Sequence, residues 1–183
     1  DCELEELLGK WGGIGAATWT PDGKKVVFIG RPDDGKPIGT KFDLFTIDVE
    51  TGEIENRTDG LKVGVGGSLS ADMPIMLMPI VFISDDSQTA TVQVQDGGTI
   101  QIYRVALTGD EAFDSIVGGK RACFPRDMNG DQMLFMADDL TSTPNLFLTS
   151  INGGEEKQLT DMNADFLANI DLPTHERLLF KGT

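Results

Sequence analysis

The apolar positions of this chain do not alternate cleanly with polar ones; they fall in short unbroken runs set off by tight turns. In "WTPDGKKVVFIG" (19–30), Pro21 presets φ at the first corner of a turn, Asp22 bonds back to nearby backbone, and Gly23 releases the chain. Val26, Val27, Phe28 and Ile29 then follow without a polar break. A strand sends successive side chains to opposite faces, so an unbroken run means that both faces are covered. Phe42 to Val49 reads as the next strand, "VETGE" (49–53) turns the chain again, and Ile54 to Thr58 makes a short outer strand.

The pattern returns twice. "SDDSQTATV" (84–92) and "DMNGDQMLF" (127–135) align with "TPDGKKVVF" (20–28), placing Asp86 on Asp22 and Asn129-Gly130 on Asp22-Gly23. An aromatic-centred strand follows each copy: "DLFTID" around Phe45, "QIYRVAL" around Tyr103 and "NLFLTSI" around Phe147. Glycine turns come next, at Thr51-Gly52-Glu53, Thr108-Gly109-Asp110 and Gly153-Gly154-Glu155. Thr58 stands 13 positions after Phe45 and Thr160 stands 13 after Phe147, while Ile116 takes that slot after Tyr103. The centres lie 58 and then 44 residues apart, the first interval being stretched by residues 59–80. A period of roughly 40–50 residues with four strands per unit marks propeller blades. The expectation is an all-β fold, a partial β-propeller of about three four-stranded antiparallel blades over residues 14–60, 74–118 and 119–163. A β-sandwich, the rival, would alternate more cleanly and turn less regularly.

Composition narrows the partners. At 183 residues one domain is expected, and 39% hydrophobic with 25% charged residues are globular values. Fifteen basic against 30 acidic residues give a net charge of −15. Such a surface repels phosphate backbones and anionic lipid, so neither nucleic acid nor membrane is an expected partner. The most apolar piece, Met73 to Ile83, holds two prolines and falls short of the roughly 20 residues of a membrane span. Cys2 and Cys123 have no metal-ligand spacing; as free thiols they suit a reducing compartment, and a cytoplasmic location is expected. The chain begins at Asp1 with no leader pattern, so it is expected to belong to something longer.

The turn-and-strand "WTPDGKKVVF", followed by "DLFTIDVETGEIENRT" and "NLFLTSINGGEEKQLT", resembles the propeller repeats of the prolyl oligopeptidase superfamily, in particular its acylaminoacyl-peptidase and dipeptidyl-peptidase-like branch, with TolB-type propellers as near relations. The resemblance covers essentially the whole chain. It implies a serine hydrolase acting on short peptides or blocked amino-terminal residues, with the propeller as lid and size filter. The tail "EKQLTDMNADFLANIDLPTHERLLFKGT" is similar to the junction with the α/β-hydrolase domain of these enzymes, which makes residues 164–183 a connecting segment and Glu176 to Lys181 a strand leading into a catalytic domain absent here. Alternatively, Leu178 to Phe180 opens a fourth blade. The chain departs from the family, whose propellers have seven or eight blades, and two of its turns are degenerate: Asp85-Asp86-Ser87 replaces Pro-Asp-Gly, and Met128 replaces proline.

Little here looks catalytic. "GVGGSLS" (64–70) approaches the G-x-S-x-G nucleophile elbow, but Ser70 stands where the last glycine belongs and no helical pattern follows. Asp161 or Asp171 and then His175 complete a Ser…Asp…His order, yet a triad is defined by geometry and not by order. The stretch reads better as a loop between blades, and His175, the single histidine, as a solvated linker residue. Asp33-Asp34, Asp85-Asp86 and Asp138-Asp139 read as turn formers; they lack the spacing of a calcium loop. "RPDDGKPIGTK" (31–41) brings Arg31, Lys36 and Lys41 to a hairpin that reads as surface decoration, and Met73, Met76 and Met78 read as gap fillers. No catalytic residue, cofactor or metal ligand is therefore expected. The expected partners are a hydrolase domain, short peptides, and a second copy meeting uncapped blades; the alternative function is a TolB-like protein-binding scaffold.

Overall fold

The computed structural model describes residues 11–33, 41–67 and 79–172, with positions 176, 178 and 180 besides. Nearly all of its regular structure is antiparallel sheet. The first unit is a four-stranded sheet in sequence order: β1 (Trp11–Trp19), β2 (Lys25–Pro32), β3 (Asp43–Asp48) and β4 (Ile54–Asn56). The second has β7 (Thr89–Asp96), β8 (Thr99–Ala106) and β9 (Phe113–Val117) beside a split inner strand, β5 (Gly64–Val65) and β6 (Phe82–Ile83). The third is β10 (Ala122–Asn129), β11 (Gln132–Asp139), β12 (Ser142–Ser150) and β13 (Lys157–Gln158), followed by one helical turn, α1 (Ala164–Leu167). A single parallel bridge, Ala122 to Ile100, links the second unit to the third. These are three blades of a β-propeller.

Packing explains the unbroken apolar runs. Val27, Ile29 and Leu44 of blade 1 form one core with Ala90, Val92, Val94 and Val105 of blade 2. Ile102 and Val117 of blade 2 form the next with Met133, Phe135 and Ala137 of blade 3. Each blade thus has a near face toward the preceding blade and a far face toward the following one, and its middle strands bury apolar residues on both. Fully burying one such side chain contributes about 1.5–3 kcal/mol. The near face of blade 1 is an aromatic group instead: Trp11 meets Phe28 and Phe45 edge-on at 5.1 and 4.9 Å, and those two rings stack at 5.5 Å.

The turn chemistry accounts for the repeat. Thr20 Oγ1 donates to Asp22 Oδ1 at 2.6 Å and accepts from Lys25 N–H, while Lys24 N–H donates to Asp22. Ser84, Asp86, Gln88 and Thr89 reproduce these bonds in blade 2. Ser87 sits at φ 62°, where blade 1 has Gly23 at φ 72°. Serine bears the left-handed conformation at a cost that glycine avoids. Blade 3 pairs Asn129 directly with Gln132, so its loop is shorter than the other two although Gly130 keeps the left-handed corner.

The threonine spacing has an equally local cause. Thr58 Oγ1 donates to Asp43 Oδ1 and accepts from Leu44 N–H at 2.9 Å; Thr160 does the same with Asn145 and Leu146. The pair locks the outer edge of blades 1 and 3 onto their third strands. In blade 2, where Ile116 holds the slot, Ser115 Oγ donates to Gln101 instead.

The long first interval lies inside a strand. Val65 pairs with Val94 and Phe82 with Thr91, both on β7, so β5 and β6 are halves of one inner strand. The chain leaves it at Gly66, whose N–H still reaches Gln93 O, and returns near Val81. Gly66 has φ 74°, and a Cβ there would lie 2.8 Å from Ile29 Cδ1 of the neighbouring blade. Gly64 and Val65 are thus strand residues, which corrects the expectation that all of 64–70 is a loop between blades.

Thr58→Val keeps the side-chain shape but strands Leu44 N–H and removes one donor from Asp43. We expect a loss of about 1–3 kcal/mol, read as a lower urea midpoint at unchanged slope, and a smaller loss for Thr160→Val, whose site is half-exposed.

Candidate functional site

A cleft of about 390 Å³ lies between blades 2 and 3. Its apolar wall comes from Phe82 on β6 and Met128 on β10, and its polar rim from Asp85, Asp86, Asp131 and Arg104. It lies where the tight turns between inner and second strands of the two blades come together. Arg104 is committed: Nη1 donates to Asn152 Oδ1 at 2.6 Å and Nη2 lies 3.6 Å from Asp114. This contact ties blade 2 to the turn between β12 and β13, and Arg57 makes the equivalent tie between blades 1 and 2. Arg57 is 5% exposed, and it donates to the carbonyls of Ala106, Gly109 and Asp110 in the corresponding turn of blade 2.

The Ser84 hydroxyl and the Asp86 carboxylate along the cleft are engaged in turn structure. Ser84 Oγ faces Asp86 Oδ1, yet that hydroxyl also accepts from Thr89 N–H and belongs to the turn lock. The Ser84 hydroxyl and then the Gln88 N–H hold the Asp86 carboxyl below its usual range, which makes it a poor base. Asp22 is lowered in the same way, first by Thr20 and then by Lys24 N–H. Cys123 is buried, and burial pushes its thiol up to about 11, which keeps it in the unreactive thiol form. Among the described residues no three His, Cys, Asp or Glu side chains are grouped to hold a metal ion.

The residues singled out in the sequence are dispersed. Ser68, Ser70, His175, Lys36, Asp34, Cys2 and Met73, Met76 and Met78 lie outside the described residues. Asp161 and Asp171 are exposed beyond β13. Leu178 and Phe180 are 75% and 89% exposed, and the other residues of the strand expected over Glu176 to Lys181, apart from Glu176, lie outside the described residues. Arg31 donates to Gly12 O and lies over the Phe42 ring. Lys41 is a structural cation, paired with Asp43 at 2.8 Å and donating to the carbonyls of Thr58, Asp59 and Leu61. Asp86 and Asp139 act as turn formers, each accepting from N–H groups two residues on.

Arg57, Arg104 and Arg126 are among the arginines not singled out in the sequence. Arg57 precedes the locking Thr58, a position that signals the blade edge. Arg126 falls in a bulge of β10, between the pairs Pro125–Phe135 and Asp127–Leu134. Its guanidinium lies 5.8 Å from the Phe124 ring centre, and its Nε and Nη2 are buried without a hydrogen-bond partner. Burial alone lowers its affinity for the proton.

No family profile and no curated protein matches the chain by sequence. Solved structures do. Acylaminoacyl peptidase from Pyrococcus horikoshii overlays with a TM-score of 0.58 at 19% identity, over 82% of this chain and 20% of that one. The propeller domain of the trilobed protease from Pyrococcus furiosus gives 0.55 at 22%, over 78% and 38%. A TolB protein from Agrobacterium tumefaciens gives 0.57 at 22%, over 78% and 47%. The chain thus spans less than half the length of each of these proteins. The common element is the fold, a β-propeller of the kind carried by prolyl oligopeptidase-type peptidases and by TolB.

Two measurements test these assignments. Replacing a half-buried guanidinium, two of whose nitrogens are buried without a hydrogen-bond partner, by an apolar chain of similar length removes part of a desolvation penalty, so Arg126→Met should raise the melting temperature. Asp22 and Asp86 have folded-state pKa values below the ordinary 3.8, so their contribution is complete above that value and is lost as pH falls through the depressed values. Asp22→Asn with Asp86→Asn should flatten the acid limb of a melting-temperature profile below that pH and leave its neutral shape unchanged.

Proposed function

We propose that this chain is the propeller portion of a serine peptidase of the prolyl oligopeptidase superfamily, acylaminoacyl-peptidase or dipeptidyl-peptidase-like. It gates the access of short peptides to a separate α/β-hydrolase domain and turns folded proteins away by size. What supports this is the overlay of most of the chain on acylaminoacyl peptidase and trilobed protease propellers, joined to a cleft built for binding. The rim carboxylates and apolar wall of that cleft fit an extended peptide with a basic side chain. A buried free thiol at Cys123 suits a cytoplasmic setting. The second reading, a TolB-like scaffold that binds a protein partner, draws on the TolB overlay.

Chromogenic acyl-amino-acid and Xaa-Pro substrates should show no turnover above background with the 183-residue chain. Turnover that is lost in Ser68→Ala would overturn the proposal. The coding sequence after Thr183 separates the two readings: a G-x-S-x-G elbow followed by Asp and His within roughly 250 residues supports the peptidase, and a stop codon with an export signal upstream supports the scaffold.

A further inference from the structure

The two blade-to-blade steps within the chain differ at one corner. Between blades 1 and 2, Asp22 N–H donates to Ser87 Oγ at 3.2 Å, so the turns that follow the two inner strands are joined. That bond offsets part of the cost of holding Ser87 at φ 62°, a corner occupied by Gly23 and Gly130 in the other blades. Gly130 takes this place in blade 3, and a Cβ there would meet nothing within 4 Å. With no hydroxyl to cross the gap, the step between blades 2 and 3 is left open as the cleft of about 390 Å³, which Gly130 helps to line.

Thr91 lines this cleft from β7 and is 4% exposed. The other buried threonines donate to defined acceptors: Thr20 to Asp22, Thr46 to Glu55, Thr58 to Asp43 and Thr149 to Glu155 O. The Thr91 hydroxyl has no such partner among the described residues, and a buried hydroxyl is rarely left without one. Around it the unused capacity is for accepting. The carboxylates of Asp85 and Asp131 bond to nothing among the described residues, and Asp86 commits Oδ1 to its turn. The lining cation, Arg104, is held by Asn152 and Asp114. Phe82, Ile83, Met128 and Ile151 add apolar surface. A positive head that only donates, carried on an apolar stem, meets each of these features, and that is the chemistry of an arginine or lysine side chain. We propose that the cleft is the pocket for one basic side chain of a bound peptide, with Thr91 and Asp131 among the groups that receive its head. This rests on the peptide-binding part of the proposed function and holds for a peptidase and for a scaffold alike.

The test is a titration of the full chain with acetyl-Ala-Arg-Ala amide, followed by NMR on the methyl signals of Ile83, Met128 and Ile151. The same peptide with citrulline in place of arginine keeps the shape and loses the charge. Saturable shifts are expected with the arginine peptide, and binding weaker by about tenfold or more with citrulline. An equal response to both peptides, no response to either, or shifts confined to residues away from the cleft overturns the proposal. Thr91→Val and Asp131→Asn should each weaken binding roughly two- to fivefold without lowering the melting temperature; full affinity in both overturns it. Should either variant not fold, the comparison of arginine with citrulline on the unmodified chain decides. Propylguanidinium must bind less tightly than the arginine peptide; if it binds equally well, the ligand is a free cation and the proposal fails. The peptidase reading is decided by the coding sequence after Thr183, so a null titration removes the pocket and leaves that reading standing.

Discussion

The middle strands of blades 1 and 2 bury residues on both of their faces, and a single blade cannot do this alone. Val27 and Ile29 lie against Ala90, Val92 and Val94, and Ile102 lies against Met133 and Phe135. Face-to-face burial between neighbouring sheets, not hydrogen bonding between them, therefore holds the array together. Among the described residues one backbone bridge crosses from blade 2 to blade 3. The polar ties between blades, made by Arg57 and Arg104, reach the same turn of the next blade and fix the angle of packing that the apolar contacts allow.

The acidic surface follows from the same arrangement. With the strands given over to apolar residues, carboxylates collect at turns, where Asp22, Asp48 and Asp86 accept hydrogen bonds from the residues just after them. The cleft between blades 2 and 3 takes its carboxylate rim, Asp85, Asp86 and Asp131, from these turns.

A frame of repeated blades places loops in register and leaves the chemistry to whatever those loops or an adjoining domain provide. The overlay on both peptidase and TolB propellers at low identity is the outcome expected when packing is selected and surface residues are free to vary. Arg126 stands apart. A guanidinium with two buried, unpartnered nitrogens costs stability, and it lies over Phe124, whose cross-strand partner Met136 is half-buried on the far face of blade 3.

The sequence by itself determined the repeat, the turn types and the strand pairs, because the interactions behind them span few residues. Thr20 to Asp22 is a separation of two, Thr20 to Lys25 five, and Leu44 to Thr58 fourteen. Continuous apolar runs likewise announced two covered faces, since a strand's side chains alternate by geometry. Only the tertiary structure decided that residues 66–81 interrupt an inner strand, because Val65 and Phe82 become neighbours solely through their common partner β7. It also decided the cleft and the reach of Arg57 to Gly109, 52 residues away. Such contacts exist only once blades stack, and stacking depends on the shapes of two faces meeting, which no local pattern of residues encodes.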